Sequence, residues 1–398
     1  MNLLYISASL PYGPGEAFII PEIQELTKRG HGVHLLPTRA RGPVVHATAQ
    51  QYEAYWSKPG LISFNMLVVF IMAFLRQPNI SLQALSLILP SRPERLLKNL
   101  SVVPKAFWLA ERIKEENIAH IHAHWASTSA TLAMLASHIS GVPWSLTAHR
   151  WDIAENNLLH RKSERARFIR FISRSGLDMA IKRGMPGKAN ATIIHMGIPL
   201  SREKTAVHEN RGRTIIICPA NLVPVKGHAY LLQAVSHIEG NVELWLAGNG
   251  ELREALEQEV VELGLEESVK FLGQLPHEQL IGLYRQGEVD LVVLPSLDLG
   301  NGLHEGIPVS LMEAMAHAIP VISTSTGGIP ELLEGGAGLM VPPADVAALA
   351  QAIQALTEDA DWRRALGEAG QRRIEESFAL EAVVSQLEGK FRKNGGLT

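Results

Sequence analysis

Short apolar runs rich in β-branched residues alternate with helix-length patterned segments from one end of this 398-residue chain to the other. No other feature constrains the fold as much. A short run that is apolar throughout reads as a strand buried on both faces, and strands separated by helices form parallel sheets with helices packed on each side. The strands fall at residues 3–7, 33–37, 118–121, 144–147, 168–172 and 192–195, then again at 214–218, 242–246, 269–272, 291–294, 321–323 and 338–341. Between the two sets, residues 199–212 are polar and lack apolar periodicity, with Arg202, Glu203, Lys204, Glu209, Asn210 and Arg211 among them, as expected of a linker. Helical patterns follow at 345–356, 362–377 and 381–391. The reading is an α/β protein of two Rossmann-like, doubly wound domains, 1–200 and 201–376. A last helical segment, 377–398, returns to the first domain. Such sheets bind ligands beyond the carboxyl ends of their strands, so a cleft between two such edges is the expected site.

Composition narrows the class. With 37 basic and 40 acidic residues the net charge is −3, which offers no field for holding nucleic acid. Apolar residues make up 46 % of the chain, well outside any disordered class. Cys218 is the sole cysteine and sits in an apolar run, so it reads as a buried thiol in a reducing compartment. The first residues, MNLLYISASLPYG, lack a basic n-region and a long apolar core, so they read as a strand and not a signal peptide, and the protein is expected in the cytoplasm. Residues 61–75 (LISFNMLVVFIMAFL) are too short to cross a bilayer. They read as a buried helix, with a helix lying on the membrane surface as the alternative, because Arg76, Arg92, Arg95 and Lys98 follow.

The densest chemistry lies in NGLHEGIPVSLMEAMAHAIPVIS, residues 301–323. Pro308 suits the first turn of a helix, so the backbone N–H groups of Val309, Ser310 and Leu311 face forward, where the helix dipole favours an anion such as a diphosphate. Glu313 then sits about one turn into the helix, able to accept from a ribose diol. Glu305 stays in the preceding loop, beside whatever group that anion carries.

This segment resembles the E-x7-E motif of glycosyltransferase family 4, retaining enzymes of the GT-B fold, and in particular its bacterial exopolysaccharide and colanic-acid-type branch. The resemblance runs through GEAFIIPEIQEL, HIHAHWA, SLTAHRWDI, NLVPVKGHAYLLQA, EGIPVSLMEAMA and TGGIPELL, nearly the whole chain. It implies a metal-independent transferase that moves a sugar from a nucleotide diphosphate-sugar to a saccharide or lipid-linked acceptor in polysaccharide or glycoconjugate synthesis. Catalysis would fall to Glu305, His149 and Lys226. The donor would fall to Gly15, Asn221, Lys226, Glu305, Gly306, Ile307, Pro308, Val309 and Glu313. No cofactor or metal is implied, and peripheral contact with the inner membrane is the expected association. A nucleotide-sugar epimerase on the same fold and a non-catalytic nucleotide-sugar-binding subunit are the alternatives.

The remaining motifs fit this reading to different degrees. Lys226 on a glycine turn can approach phosphate as a point charge. Many relatives carry arginine five residues earlier, where this chain has Asn221, which can hydrogen-bond an oxygen but cannot neutralise it. Gly13-Pro14-Gly15-Glu16 follows the first strand; the resemblance implies a loop over the donor phosphates or the acceptor, and a plain turn is the alternative. His149 lies just past a strand end, and Asp152 either orients it or caps the next helix. His120, His122 and His124 alternate along one strand but lack the cluster a metal needs. Asp359-Ala360-Asp361 mimics a manganese motif yet sits between helices, where aspartate is a common N-cap. Gly248-Asn249-Gly250 lacks the third glycine of a dinucleotide fingerprint, and Gly327-Gly328 reads as a backbone turn beside the nucleotide.

Overall fold

A computed structural model describes residues 1–13, 16–57, 60–187, 190–200, 212–300 and 302–392. Gly15, and Arg202, Glu203, Lys204, Glu209, Asn210 and Arg211 of the expected linker, lie outside the described residues. The chain divides into two compact units, Met1–Gly197 with Leu380–Thr398, and Ile198–Ala379.

The first unit holds a parallel sheet of β1 (Asn2–Ser7), β2 (Gly32–Pro37), β3 (His120–His124), β4 (Trp144–Ala148), β5 (Ile169–Phe171) and β6 (Ala191–Ile193), in the order β2-β1-β3-β4-β5-β6. The direction of winding changes between β1 and β3, whose registers pair Leu3 with His120 and Ile6 with Ala123. β3 begins two residues later than its apolar pattern suggests. Its histidines are poor strand formers by composition, but all three are buried and hydrogen-bonded: His120 to Ser145, His122 to Ser145 and Thr147, and His124 to Glu22. The C-terminal helix Leu380–Arg392 belongs to this unit. It buries Leu380, Val383, Val384, Leu387 and Phe391, a gross gain on the order of 10 kcal/mol before ordering is counted. Glu388 pins it to Arg29 at 3.4 Å and His31 at 3.0 Å.

The second unit holds β7 (Thr214–Pro219), β8 (Val242–Ala247), β9 (Val269–Phe271), β10 (Leu291–Leu294), β11 (Val321–Thr324) and β12 (Leu339–Val341), all parallel, ordered β12-β11-β10-β7-β8-β9. Here the winding reverses between β7 and β10, which places a crevice beyond Pro219 and Leu294. Cys218 is fully buried in this core, and burial pushes its thiol up to about 12. Asp359 caps the helix Ala360–Ser377 by accepting from Trp362 N–H at 2.8 Å, which accounts for the Asp359-Ala360-Asp361 sequence without a metal.

Residues 61–75 depart from the expectation of a buried helix. Ser63 caps a helix over Phe64–Arg76, but Met66 is the one fully buried residue in it. Val69, Phe70 and Ala73 lean on the core, while the opposite stripe faces outward. A helix apolar all round gives no sequence signal of which face is covered.

Candidate functional site

In the second unit, the loop leaving β7 makes a short 3₁₀ turn, Pro224–Lys226, and stops at Gly227. Gly227 has φ +70°, and a β-carbon there would lie 2.0 Å from the Pro295 carbonyl oxygen, so no other residue lets this loop sit against the end of β10. The turn presents Lys226, whose Nζ lies 2.5 Å from Glu305 Oε1. Two residues far apart in sequence thus meet at the switch between β7 and β10. Behind Lys226, the His228 ring is buried, and burial with the neighbouring Lys226 charge pushes its pKa down to about 4, so it adds no second cation at neutral pH.

Glu305 is held by a second close backbone approach. Gly327 has φ +55°, and a β-carbon there would lie 1.8 Å from the Glu305 carbonyl oxygen. The next N–H, of Gly328, donates to Gly306 O at 3.0 Å, and Ile307 packs its side chain on the core. Pro308 is the N-cap, one position outside the first turn where the sequence placed it, and the helix runs Val309–Ala316. The N–H groups of Val309, Ser310 and Leu311 therefore have no intrahelical acceptor and carry the positive end of the helix dipole. Glu313 lies in the middle of this helix, and its Oε1 meets His277 Nε2 at 2.8 Å. That hydrogen bond, opposed by partial burial, raises the His277 pKa above its ordinary value. Asn221 is exposed on the loop after β7, its carbonyl oxygen accepting from Val223 N–H at 2.9 Å. The structure thus gathers Lys226, Glu305, Gly306, Ile307, Pro308, Val309 and Glu313 on one loop-and-helix cluster.

In the first unit, the switch between β1 and β3 is built around a residue quoted in the glycine loop but given no role, Glu16. Its backbone is left-handed, φ 72°, and its carboxylate accepts from three consecutive backbone N–H groups: Ala8 at 2.8 Å, Ser9 at 2.7 Å and Leu10 at 2.9 Å. The Trp125 indole N–H completes the set at 2.6 Å. Trp125 in turn lies against the His149 ring, centroids 4.5 Å apart, with Phe18 at 5.2 Å. Burial, then the charge of His124, drives the His149 pKa well below its ordinary value, so the ring is neutral at pH 7. Asp152 settles as a cap: it accepts from His149 N–H and Ile153 N–H at 2.8 Å each, and from Ala126 N–H. It fixes the loop on which His149 stands, not the imidazole.

Glu22, His122 and His124 bring potential metal-ligating atoms within 4.8 Å of one another. Their hydrogen bonds show a different function. Both ring nitrogens of His122 are engaged, by Ser145 at 2.8 Å and Thr147 at 2.9 Å. Glu22 pairs with the fully buried Arg170 and accepts from Tyr5 Oη at 3.1 Å. Although burial pushes Glu22 up, the Arg170 guanidinium and His124 hold it well below the usual carboxylate range. The cluster carries its own counter-ion and reads as core structure.

Residues 201–373 match the family model of the glycosyl transferases of group 1. The chain is 25 % identical over 308 residues to a GDP-mannose-dependent monoacylated alpha-(1-6)-phosphatidylinositol monomannoside mannosyltransferase of Corynebacterium glutamicum, covering 70 % of this chain and 77 % of that one. To the amylovoran biosynthesis glycosyltransferase AmsK of Erwinia amylovora it is 32 % identical over 222 residues, 53 % of this chain and 54 % of the relative. Among solved structures, HepE of Anabaena in complex with UDP superposes with a TM-score of 0.74 at 18 % identity, covering 99 % of this chain and all of that one. The fold is therefore GT-B.

Proposed function

We propose that this chain is a glycosyl transferase of the group 1 type, which moves a sugar from a nucleotide diphosphate-sugar to a saccharide or lipid-linked acceptor with retention at the anomeric carbon, and without a metal. The observation that carries the reading is the meeting of Lys226 and Glu305 at the β7/β10 switch, next to the N–H groups of Val309, Ser310 and Leu311. An ammonium and an open helix N-terminus form an anion site, and a carboxylate beside them suits a sugar attached to that anion. The relative from Corynebacterium is named for a GDP-mannose donor, and HepE is named for bound UDP, which agrees with a nucleoside diphosphate here.

In the proposed step the bond between the anomeric carbon and the β-phosphate oxygen breaks, and its electron pair leaves with the diphosphate. Lys226 and the helix N–H groups stabilise that charge as it develops. The acceptor hydroxyl forms the new bond from the same face, and its proton passes to the departing phosphate oxygen. Glu305 supports the sugar, Glu313 accepts from the ribose, and neutral His149 contacts a donor-sugar hydroxyl. Gly15 and Asn221 complete the donor set. The protein works in the cytoplasm with peripheral contact at the membrane.

A panel of UDP-, GDP- and ADP-sugars tested by thermal denaturation checks the donor reading. One nucleotide class should raise the melting temperature in a concentration-dependent way. No shift with any of them at millimolar concentration would overturn it.

A further inference from the structure

The Phe64–Arg76 helix exposes Phe64, Leu67, Val68, Ile71, Met72 and Leu75. At about 100° per residue these positions fall within an arc of about 140° on one side of the helix. The core-facing residues Met66, Val69, Phe70 and Ala73 lie opposite. Phe64 is 84 % and Leu75 71 % exposed, and they stand at the two ends of one contiguous apolar stripe. Further apolar side chains are exposed nearby in sequence: Leu82 on the helix Pro78–Ile88, Leu89 at its C-cap, and Leu97 and Leu100 on the helix Pro93–Ser101. No single helix among the described residues is long and apolar enough to cross a membrane; Phe64–Arg76 and Pro78–Ile88 together have the composition, but the chain bends by 117° between them. The pair is shaped to lie on a surface.

The charges around it point to the same kind of surface. Residues 54–110 contain Lys58, Arg76, Arg92, Arg95, Lys98 and Lys105 but a single acid, Glu94, in a chain whose net charge is −3. Lys105 is buried on the carbonyls of Pro37 and Thr38, and Arg95 pairs with Glu155. Arg76 is exposed at the end of the stripe helix, and Arg92 and Lys98 are exposed at the start and in the last turn of Pro93–Ser101. We propose that this face docks the enzyme on an anionic lipid bilayer, with the stripe seated at the boundary of headgroups and acyl chains and the three cations among the phosphates. That the acceptor is drawn from the same bilayer rests on the transfer reaction proposed for the enzyme. The docking itself does not, since it needs no donor and involves none of the residues assigned to transfer.

Sedimentation with vesicles of phosphatidylcholine alone, and with about 30 % phosphatidylglycerol added, tests it. The wild type should bind the anionic vesicles and release as salt is raised past the Debye regime. Phe64→Glu with Leu75→Glu should weaken binding more than tenfold. Both side chains point to solvent, so circular dichroism and the melting temperature should stay unchanged; Phe70, which packs on Phe107, would not give so clean a test. Arg92→Gln with Lys98→Gln should cost about fivefold per cation on anionic vesicles only. Failure of the wild type to bind either vesicle, or full binding by the folded Glu variant, overturns the proposal. So does concentration-dependent dimerisation that the Glu variant abolishes without any vesicle binding by the wild type, since the face would then join two copies of the chain.

Discussion

Lys226→Ala removes the one side-chain cation that the β7 loop brings to Glu305, and its effect on nucleoside diphosphate affinity can be worked from the structure. A hydrogen bond to a charged group contributes about 1.5–3 kcal/mol. Two features lower the net loss. The lysine side chain is 21 % exposed, which screens part of its charge, and in the free protein its Nζ already holds Glu305 Oε1 at 2.5 Å. Exchanging that partly solvated pair for phosphate gives back up to about 1 kcal/mol. A net of about 1–2 kcal/mol remains, a rise in Kd of about 5- to 30-fold. The same pairing predicts an opposite sign for the partner. Glu305→Gln frees Lys226 and removes a like charge, so the diphosphate should bind up to about fivefold tighter while turnover falls. In the double variant the part of that gain that depends on Lys226 disappears, which calorimetry with UDP, GDP and ADP reads as non-additivity. Unchanged affinity for all three nucleotides in Lys226→Ala would refute the phosphate assignment, and wild-type turnover in Glu305→Gln would refute the role of the carboxylate.

Gly327→Val puts a β-carbon where the Glu305 carbonyl oxygen lies, 1.8 Å away, so the loop must shift; turnover should drop about a hundredfold while far-UV dichroism is preserved. Glu22→Gln leaves Arg170 buried without its counter-ion and should cost about 3–5 kcal/mol in urea unfolding. Because the folded-state pKa of Glu22 lies below its ordinary 4.5, the wild-type contribution is present above that value and is lost as pH falls beneath it, a dependence the Gln variant should lack. Turnover should persist in EDTA, and complete loss reversed by manganese would contradict the metal-free reading.

The strands were legible because parallel strands buried on both faces leave uninterrupted apolar runs; β3, written in histidines, shifted toward the C-terminus, and β6 ended at Ile193, two residues before its expected limit. The Glu305 to Glu313 segment was legible for a local reason: glycine, proline and helix-forming residues in that order specify a loop and then a helix start. The pairing of Lys226 with Glu305 was not, since it depends on β7 and β10 being neighbours in the sheet. His277 against Glu313 escaped for the same reason. Glu16 was visible as a residue but not as the anion filling the Ala8 to Leu10 backbone nest, which needs a left-handed turn that composition does not announce. The exposure of the Phe64 stripe was equally hidden, because an all-apolar helix looks the same whichever face is covered.

The reaction proposed is a sugar transfer from a nucleotide diphosphate-sugar with retention. Proton NMR of a turnover mixture, with the donor class identified by thermal denaturation and a saccharide acceptor, measures both parts at once. Nucleoside diphosphate should be released together with a product whose anomeric configuration matches that of the donor. A product of inverted configuration, or conversion of the donor sugar to its epimer with no transfer, would contradict it.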